Sequence, residues 1–172
     1  MIIIRQELVR LLRQTNDLHA KRLCLSYAEQ ALEWCRPAVD EELLEASLSY
    51  ISAARDALEG RADISVVAQA RAAYFRARGD GSSVAEQVAW LAALAVAATW
   101  QREMEAAGIV VPQRTVPSVT DVAKDCQAVV ARFADFSELA ESLPVSDDAS
   151  VVKWEVARWQ MLRVIETAPL PE

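Results

Sequence analysis

Residues 84–104, VAEQVAWLAALAVAATWQREM, are apolar on nearly every face of a helix between Val88 and Trp100. Alanine is the strongest helix former, and a helix that is apolar all round is typically buried on all sides. Ser83 and Glu86 have the spacing of a capping box before this segment, and Gly108 follows it. We therefore predict a buried, alanine-rich helix at the centre of the fold.

The composition favours an all-α protein with one hydrophobic core. The chain has 172 residues, of which 53% are hydrophobic and 25% charged, with 4 glycines and 6 prolines. Alanine and leucine dominate, and the alternation typical of strands is rare. We predict a single helical bundle over residues 1–172, and the proline-containing segment 108–117 is the one place where it could be subdivided.

Capping residues and apolar periodicity predict about six longer helices and two short ones, the segments 3–14 and 136–143. The predicted helices cover about 3–14, 16–36, 41–59, 64–78, 84–106, 118–134, 136–143 and 148–167. Asn16 or Asp17, Asp40, Asp63, Ser83 and Ser118 are the predicted N-caps, and Asp147 or Asp148 would cap the last helix. Short connections predict that consecutive helices pack antiparallel.

The net charge of −7 makes the chain a poor candidate for nucleic-acid binding, which needs clustered Lys and Arg. The charge could attract basic partners, or it could serve solubility alone. The uncharged run 88–100 is too short to span a bilayer. The N-terminal MIIIRQELVRLLRQ lacks the shape of a signal peptide. We expect a soluble, cytoplasmic protein that does not bind membranes.

Two of the three cysteines, Cys24 and Cys35, lie in the predicted helical stretch LCLSYAEQALEWC at 23–35. At about 1.5 Å per residue they are roughly 16 Å apart along the helix axis, too far for a disulfide or a shared metal ion. Both lie on one face and are predicted to pack in the core. Cys126 could approach either one from another helix. We predict three thiols, no metal and no cofactor.

Catalytic motifs such as the P-loop, GxGxxG, HExxH, CxxC and GxSxG are absent from the sequence. His19, the only histidine, is predicted to lie at the surface or at a helix start. Glu29 and Glu33 lie one helical turn apart and could form a carboxylate site, but a solvated helix face is favoured. The sequence therefore favours a protein that is not an enzyme.

Tryptophan and arginine recur in the last predicted helix. Trp154 and Trp159 each precede an arginine by four residues, Arg158 and Arg163. Exposed tryptophan beside arginine is typical of binding hot spots, whereas buried tryptophan belongs to the core. Both interpretations are open at this stage.

Residues 24–100 resemble the small all-α immunity proteins of bacterial polymorphic-toxin systems. The resemblance rests on a first helix with a Cys-x-x-x-Ala-Glu-x-x-Leu pattern, an Ala-Ala-Arg helix ending before glycine, and alanine-rich helices after it. The residues in those places are Cys24, Ala28, Glu29, Leu32, Ala53, Ala54, Arg55, Gly60, Arg71 and Ala72. The histidines of the family's later alanine-rich helix are missing here. The resemblance implies a cytoplasmic, non-enzymatic protein that binds one cognate toxin.

Our leading hypothesis is an immunity protein that covers a functional face of its toxin with an acidic, aromatic-bearing surface. The candidate contact residues are Asp40, Glu41, Glu42, Trp154, Arg158 and Trp159. The alternative is a helical scaffold or homo-oligomeric assembly subunit that uses the last helix for contact. A third hypothesis is an enzyme with a carboxylate site at Glu29 and Glu33.

Overall fold

A computed structural model describes residues 2–79, 83–111, 115–134 and 149–168. These ranges contain seven α-helices, one 3-10 turn and no strand, which confirms the all-α class. The helices are α1 (Ile2–Gln14), α2 (Asp17–Trp34), α3 (Glu41–Leu58), α4 (Ile64–Arg78), α5 (Val84–Ala106), α6 (Val119–Phe133) and α7 (Ala149–Glu166). The predicted short helix over 136–143 and the predicted cap at Asp147 or Asp148 lie outside the described residues.

The predicted N-caps begin their helices as the sequence indicated. Asn16 caps α2, since its Oδ1 accepts a hydrogen bond from the backbone N–H of His19 at 2.8 Å. Asp40 and Asp63 do the same for α3 and α4. Full capping boxes at the starts of α5 and α6 satisfy backbone donors that a helix start would otherwise leave unpaired.

The end of α2 differs from the prediction, which continued the helix to about Arg36. The helix ends at Trp34, and Arg36–Ala38 form a 3-10 turn that leads into α3. Pro37 explains the early end, because a residue before proline is disfavoured in the α conformation. The N–H of Cys35 still donates to the carbonyl of Ala31 at 3.0 Å and closes the last turn.

The predicted central helix is confirmed in α5. Every residue from Leu91 to Ala97 is buried, and α5 packs against α2, α3, α4 and α6. The small alanines let polar groups of neighbouring helices reach the backbone: Tyr74 donates its hydroxyl to the carbonyl of Ala89 at 3.0 Å. Trp100 extends outward and donates its indole N–H to the carbonyl of Ala54 at 3.0 Å.

Helices α2 and α5 form the central pair of the bundle. Helices α3 and α4 pack on one side of this pair, while α6, α7 and α1 pack on the other. The segment 108–117, at which the chain could have divided, connects α5 and α6, and these two helices pack against each other. Among the described helices, none has the length and apolar character needed to cross a membrane.

Candidate functional site

Helix α7 runs antiparallel beside α2, with side chains bridging the two helices. Near the start of α2, His19 Nε2 lies 2.9 Å from Thr167 Oγ1. Midway, Arg163 Nε lies 3.4 Å from Ser26 Oγ, and at the end of α2 the Trp34 and Trp159 rings lie 5.3 Å apart. The backbones of α2 and α7 stay apart, because α7 packs mainly on α6 and α1. An open groove results, which we call the α2–α7 groove.

Below the groove, a buried polar network joins α2, α6 and α7. Gln160 is fully buried; its side-chain amide donates to the carbonyl of Ala123 at 3.1 Å and accepts from Gln127 at 2.8 Å. The Tyr27 hydroxyl donates to the Gln160 carbonyl at 3.0 Å. Directional bonds of this kind fix the rotation of α7, and with it the residues that α7 presents to solvent.

The sequence left open whether Trp154 and Trp159 are buried or exposed, and the structure shows an intermediate state. Trp154 and Trp159 are both half-buried. Trp159 packs edge-to-face on Tyr27, at 5.9 Å between ring centroids, and on Trp34. The Arg158 guanidinium lies 5.9 Å from the centroid of the Trp154 ring. Trp159 therefore packs against the core, and both tryptophans also expose aromatic surface.

The acidic candidates lie at the start of α3. Asp40, Glu41 and Glu42 are exposed, and Asp40 Oδ1 accepts the N–H of Leu43 at 3.0 Å as a helix cap. Across the described ranges, no hydrogen bond or ion pair joins these three residues to Trp154, Arg158 or Trp159. The predicted contact residues thus form two separate groups, one acidic and one aromatic.

Glu29 and Glu33 lie on a partly solvated face, with side chains that are 41% and 38% exposed. The Glu29 carboxylate is part-buried and accepts two hydrogen bonds from Arg55 of α3, at 2.6 and 3.1 Å. Glu33 pairs with Arg36 at 2.6 Å, and this arginine is more exposed than Arg55. Both carboxylates are engaged by guanidinium groups, and the Glu29–Arg55 pair links α2 to α3.

His19 lies at the start of α2, as predicted, but it is buried rather than exposed. The Thr167 hydroxyl donates to the Arg163 carbonyl at 2.6 Å, so its oxygen accepts the proton on His19 Nε2. Burial lowers the pKa of the His19 imidazole, and the positive charge of Arg22 lowers it further. Both effects favour the neutral form of the histidine, which lines the groove together with Arg22.

All three cysteines are free and buried, which confirms the packed interpretation of Cys24 and Cys35. Burial raises the pKa of each of these two thiols to about 12. The pKa of Cys126 is raised well above its ordinary value, first by burial and then by the nearby thiol of Cys24. Because the thiolate is the reactive form, these cysteines are poor nucleophiles in the folded protein.

Within the ranges that the structure describes, no three His, Cys, Asp or Glu side chains come together as a metal site would require. Comparison of the chain with protein-family models, with curated proteins and with solved structures gave no match.

Proposed function

We propose that this chain is a non-catalytic protein that binds one protein partner stoichiometrically, and that the partner is a cognate bacterial toxin. The toxin follows from the resemblance of residues 24–100 to immunity proteins. The single observation that supports binding most strongly is the half-buried tryptophan and arginine surface on α7, formed by Trp154, Arg158 and Trp159.

This aromatic surface has the features of a binding hot spot. Trp159 is held in place by edge-to-face contacts with Tyr27 and Trp34, so it loses little freedom on binding. Arg158 is half-exposed and anchored 3.6 Å from the carboxylate of Glu155. Tryptophan and arginine contribute more binding energy per residue than most other types.

The acidic group would contribute in a different way. Exposed Asp40, Glu41 and Glu42 add to a chain whose net charge is −7. A field of this sign attracts a basic partner and raises its association rate at low salt. The aromatic surface would therefore determine the affinity for the partner, and the acidic surface the rate of association.

The residues that carry the resemblance have structural roles in this fold. Cys24, Ala28 and Leu32 are buried on α2, and Glu29 pairs with Arg55. Together they hold α2 against its neighbours and leave the outward side of α7 available for a partner. Under this proposal, the resembling part is scaffold and the C-terminal helix provides selectivity.

The experiment is a survival assay with the gene that adjoins this one in its genome. Cells that express the neighbouring gene product alone should stop growing, and co-expression of this chain should restore growth. A Trp154→Ala/Arg158→Ala variant should restore less growth, while an Arg76→Ala variant, changed at an exposed site on α4, should match the wild type. Equal growth with and without this chain would contradict the proposal.

The scaffold alternative also has one observation in its favour. Leu162 and Ile165 are 43% and 57% exposed and lie three residues apart, on neighbouring positions of the α7 surface. If α7 mediated self-association, light scattering would report a mass that falls to that of one chain in an Ile165→Glu variant. A single-chain mass at high concentration would count against the alternative.

A further inference from the structure

We propose that the α2–α7 groove binds a dianionic phosphate group, either as inorganic phosphate or as part of a small phosphomonoester. The site would be formed by Arg22 and Arg163, with the Ser26 hydroxyl as a further hydrogen-bond donor. This inference is independent of the proposed function, because a phosphate site would exist whether or not the chain neutralises a toxin.

The shape of the groove fits a small ligand. A solvent-open cavity of about 450 Å³ lies in it, within the range of about 300–1,000 Å³ typical of small-molecule sites. The lining residues come from α2, α3, α7 and the segments that follow α3 and α7; they are His19, Arg22, Leu23, Ser26, Glu29, Arg55, Glu59, Arg163 and Thr167. Among these nine residues only Leu23 is apolar, so the cavity suits a polar ligand.

The charges in the groove leave two arginines without an acidic partner. Glu29 is engaged by Arg55 through two hydrogen bonds, and Glu59 is engaged by Arg61. In the described part of the chain, no carboxylate lies within ion-pair distance of Arg22 or Arg163. Among the lining residues, three arginines face two glutamates, so the cavity is net positive in a protein whose net charge is −7.

Hydrogen-bond donors of both helices line the cavity. Arg163 directs its Nε toward Ser26 Oγ at 3.4 Å, a long contact that leaves its other N–H groups free to donate. The nearby His19 donates to Thr167 and adds no negative charge. Arg22 and His19 line the same cavity, and after burial the positive charge of Arg22 is the second cause that lowers the pKa of His19.

Charge favours phosphate over a carboxylate. A phosphomonoester carries about −1.5 to −2 charges near neutral pH, whereas a carboxylate carries one. Two unpaired guanidinium groups match the phosphate, and arginine is suited to bidentate bonds with phosphate oxygens. A single carboxylate would leave one guanidinium unmatched.

The test uses the single histidine as a reporter. Because His19 is the only histidine, its ring resonances in a proton NMR spectrum need no assignment. Sodium phosphate, added against sodium chloride at equal ionic strength, should shift these resonances in a saturable way. Phosphate should also raise the pKa of His19, since a dianion beside the imidazole favours its charged form.

Variants of Arg22 and Arg163 test whether these two side chains bind the phosphate. Arg22→Gln and Arg163→Gln should each weaken phosphate binding by about tenfold or more, because each removes charge-assisted hydrogen bonds. Arg76→Gln, at an exposed site on α4, should bind phosphate like the wild type. Unchanged circular dichroism and melting temperature would show that all three variants fold normally.

Glycerol phosphate distinguishes a phosphomonoester from free phosphate as the ligand, and acetate tests whether any anion binds. Tighter binding of glycerol phosphate than of inorganic phosphate would identify a phosphomonoester as the ligand, and the reverse order would identify free phosphate. Sodium acetate should shift the His19 resonances no more than sodium chloride does. The inference would be overturned by acetate binding as tightly as phosphate, by a phosphate effect equal to that of chloride, or by unchanged binding in both groove variants.

Discussion

Helices α5 and α7 are both apolar over most of their circumference, yet they lie in opposite environments. In α5, an unbroken run of residues from Leu91 to Ala97 is buried. In α7, the polar Glu155 and Gln160 are buried, while the apolar Leu162 and Ile165 are exposed. The number of apolar residues in a helix therefore does not determine how deeply it is buried.

The difference follows from the neighbours of each helix. Four other helices pack around α5, and its alanines allow all of them to approach closely. Helix α7 packs mainly on α6 and α1, and its orientation is set by polar bonds at Gln160. Apolar surface that exceeds what the neighbours can cover is available to a partner, which is why the proposed contacts lie on α7.

The same substitution in the two helices should give very different losses of stability. Leu91→Ala in α5 removes a side chain that is 1% exposed and should lower the free energy of unfolding by about 2–5 kcal/mol. Leu162→Ala in α7 should change it by less than about 0.5 kcal/mol, as is usual for surface positions. Urea denaturation followed by circular dichroism measures both, and equal losses would show that the two helices are not differently buried.

The hydrogen bonds of Gln160 should stabilise the packing of α7, whereas α5 is held by apolar contacts with four helices. Gln160→Ala leaves the side-chain amide of Gln127 and the carbonyl of Ala123 without their partner, at a cost of about 1–3 kcal/mol for buried unsatisfied groups. The matched control is Gln69→Ala, which changes an exposed glutamine on α4. A loss at Gln160 no larger than at Gln69 would mean that the network does not hold α7.

Phenylalanine substitutions of Tyr27 and Tyr50 compare hydrogen bonds on the two sides of the bundle. Tyr27→Phe removes a bond to the Gln160 carbonyl and should cost about 0.5–1.5 kcal/mol. Tyr50→Phe removes only a contact of 4.0 Å with the thioether sulfur of Met104, a weak acceptor, and should cost less. Thermal unfolding ranks the two variants, and the reverse ranking would argue against a specifically polar α7 side.

The smallest loss of stability should come from a decrease in pH. The pKa of His19 is lowered in the folded protein. As pH falls, the unfolded chain therefore takes up a proton near the ordinary pKa of 6.5, at a higher pH than the folded protein does. Stability is then fully present above pH 6.5 and falls as pH decreases through the folded pKa. Urea midpoints between pH 7 and 5 should fall more in the wild type than in His19→Asn. Equal pH dependence in the two proteins would exclude His19 as the cause.

Local signals in the sequence predicted most of the helix starts. Capping depends on residues within one turn, so Asn16, Asp40, Ser83 and Ser118 could be recognised without knowledge of the fold. The central helix was also predictable, because its uninterrupted run of small and apolar residues from 88 to 100 leaves no charged side chain to face solvent. The end of α2 was missed by two residues, although Pro37 was noted as its stop signal.

The α2–α7 groove could not be predicted, because its contacts join residues far apart in the chain. His19 and Thr167 are separated by 148 positions, and Gln127 and Gln160 by 33. One signal was present: Gln160 lies four residues from both Val156 and Val164, which places a polar side chain on an apolar stripe. A buried glutamine of this kind indicates a partner on a neighbouring helix, but the sequence does not identify that partner.

Titration calorimetry between this chain and the purified product of the adjoining gene would test whether α7 carries the interaction. The account predicts one partner per chain, and an affinity that falls by about tenfold or more in Trp154→Ala/Arg158→Ala, since a hot-spot side chain contributes about 2 kcal/mol or more. The melting temperature of that variant should stay close to the wild-type value. No binding by the wild type, or equal affinity in the variant, would contradict the account.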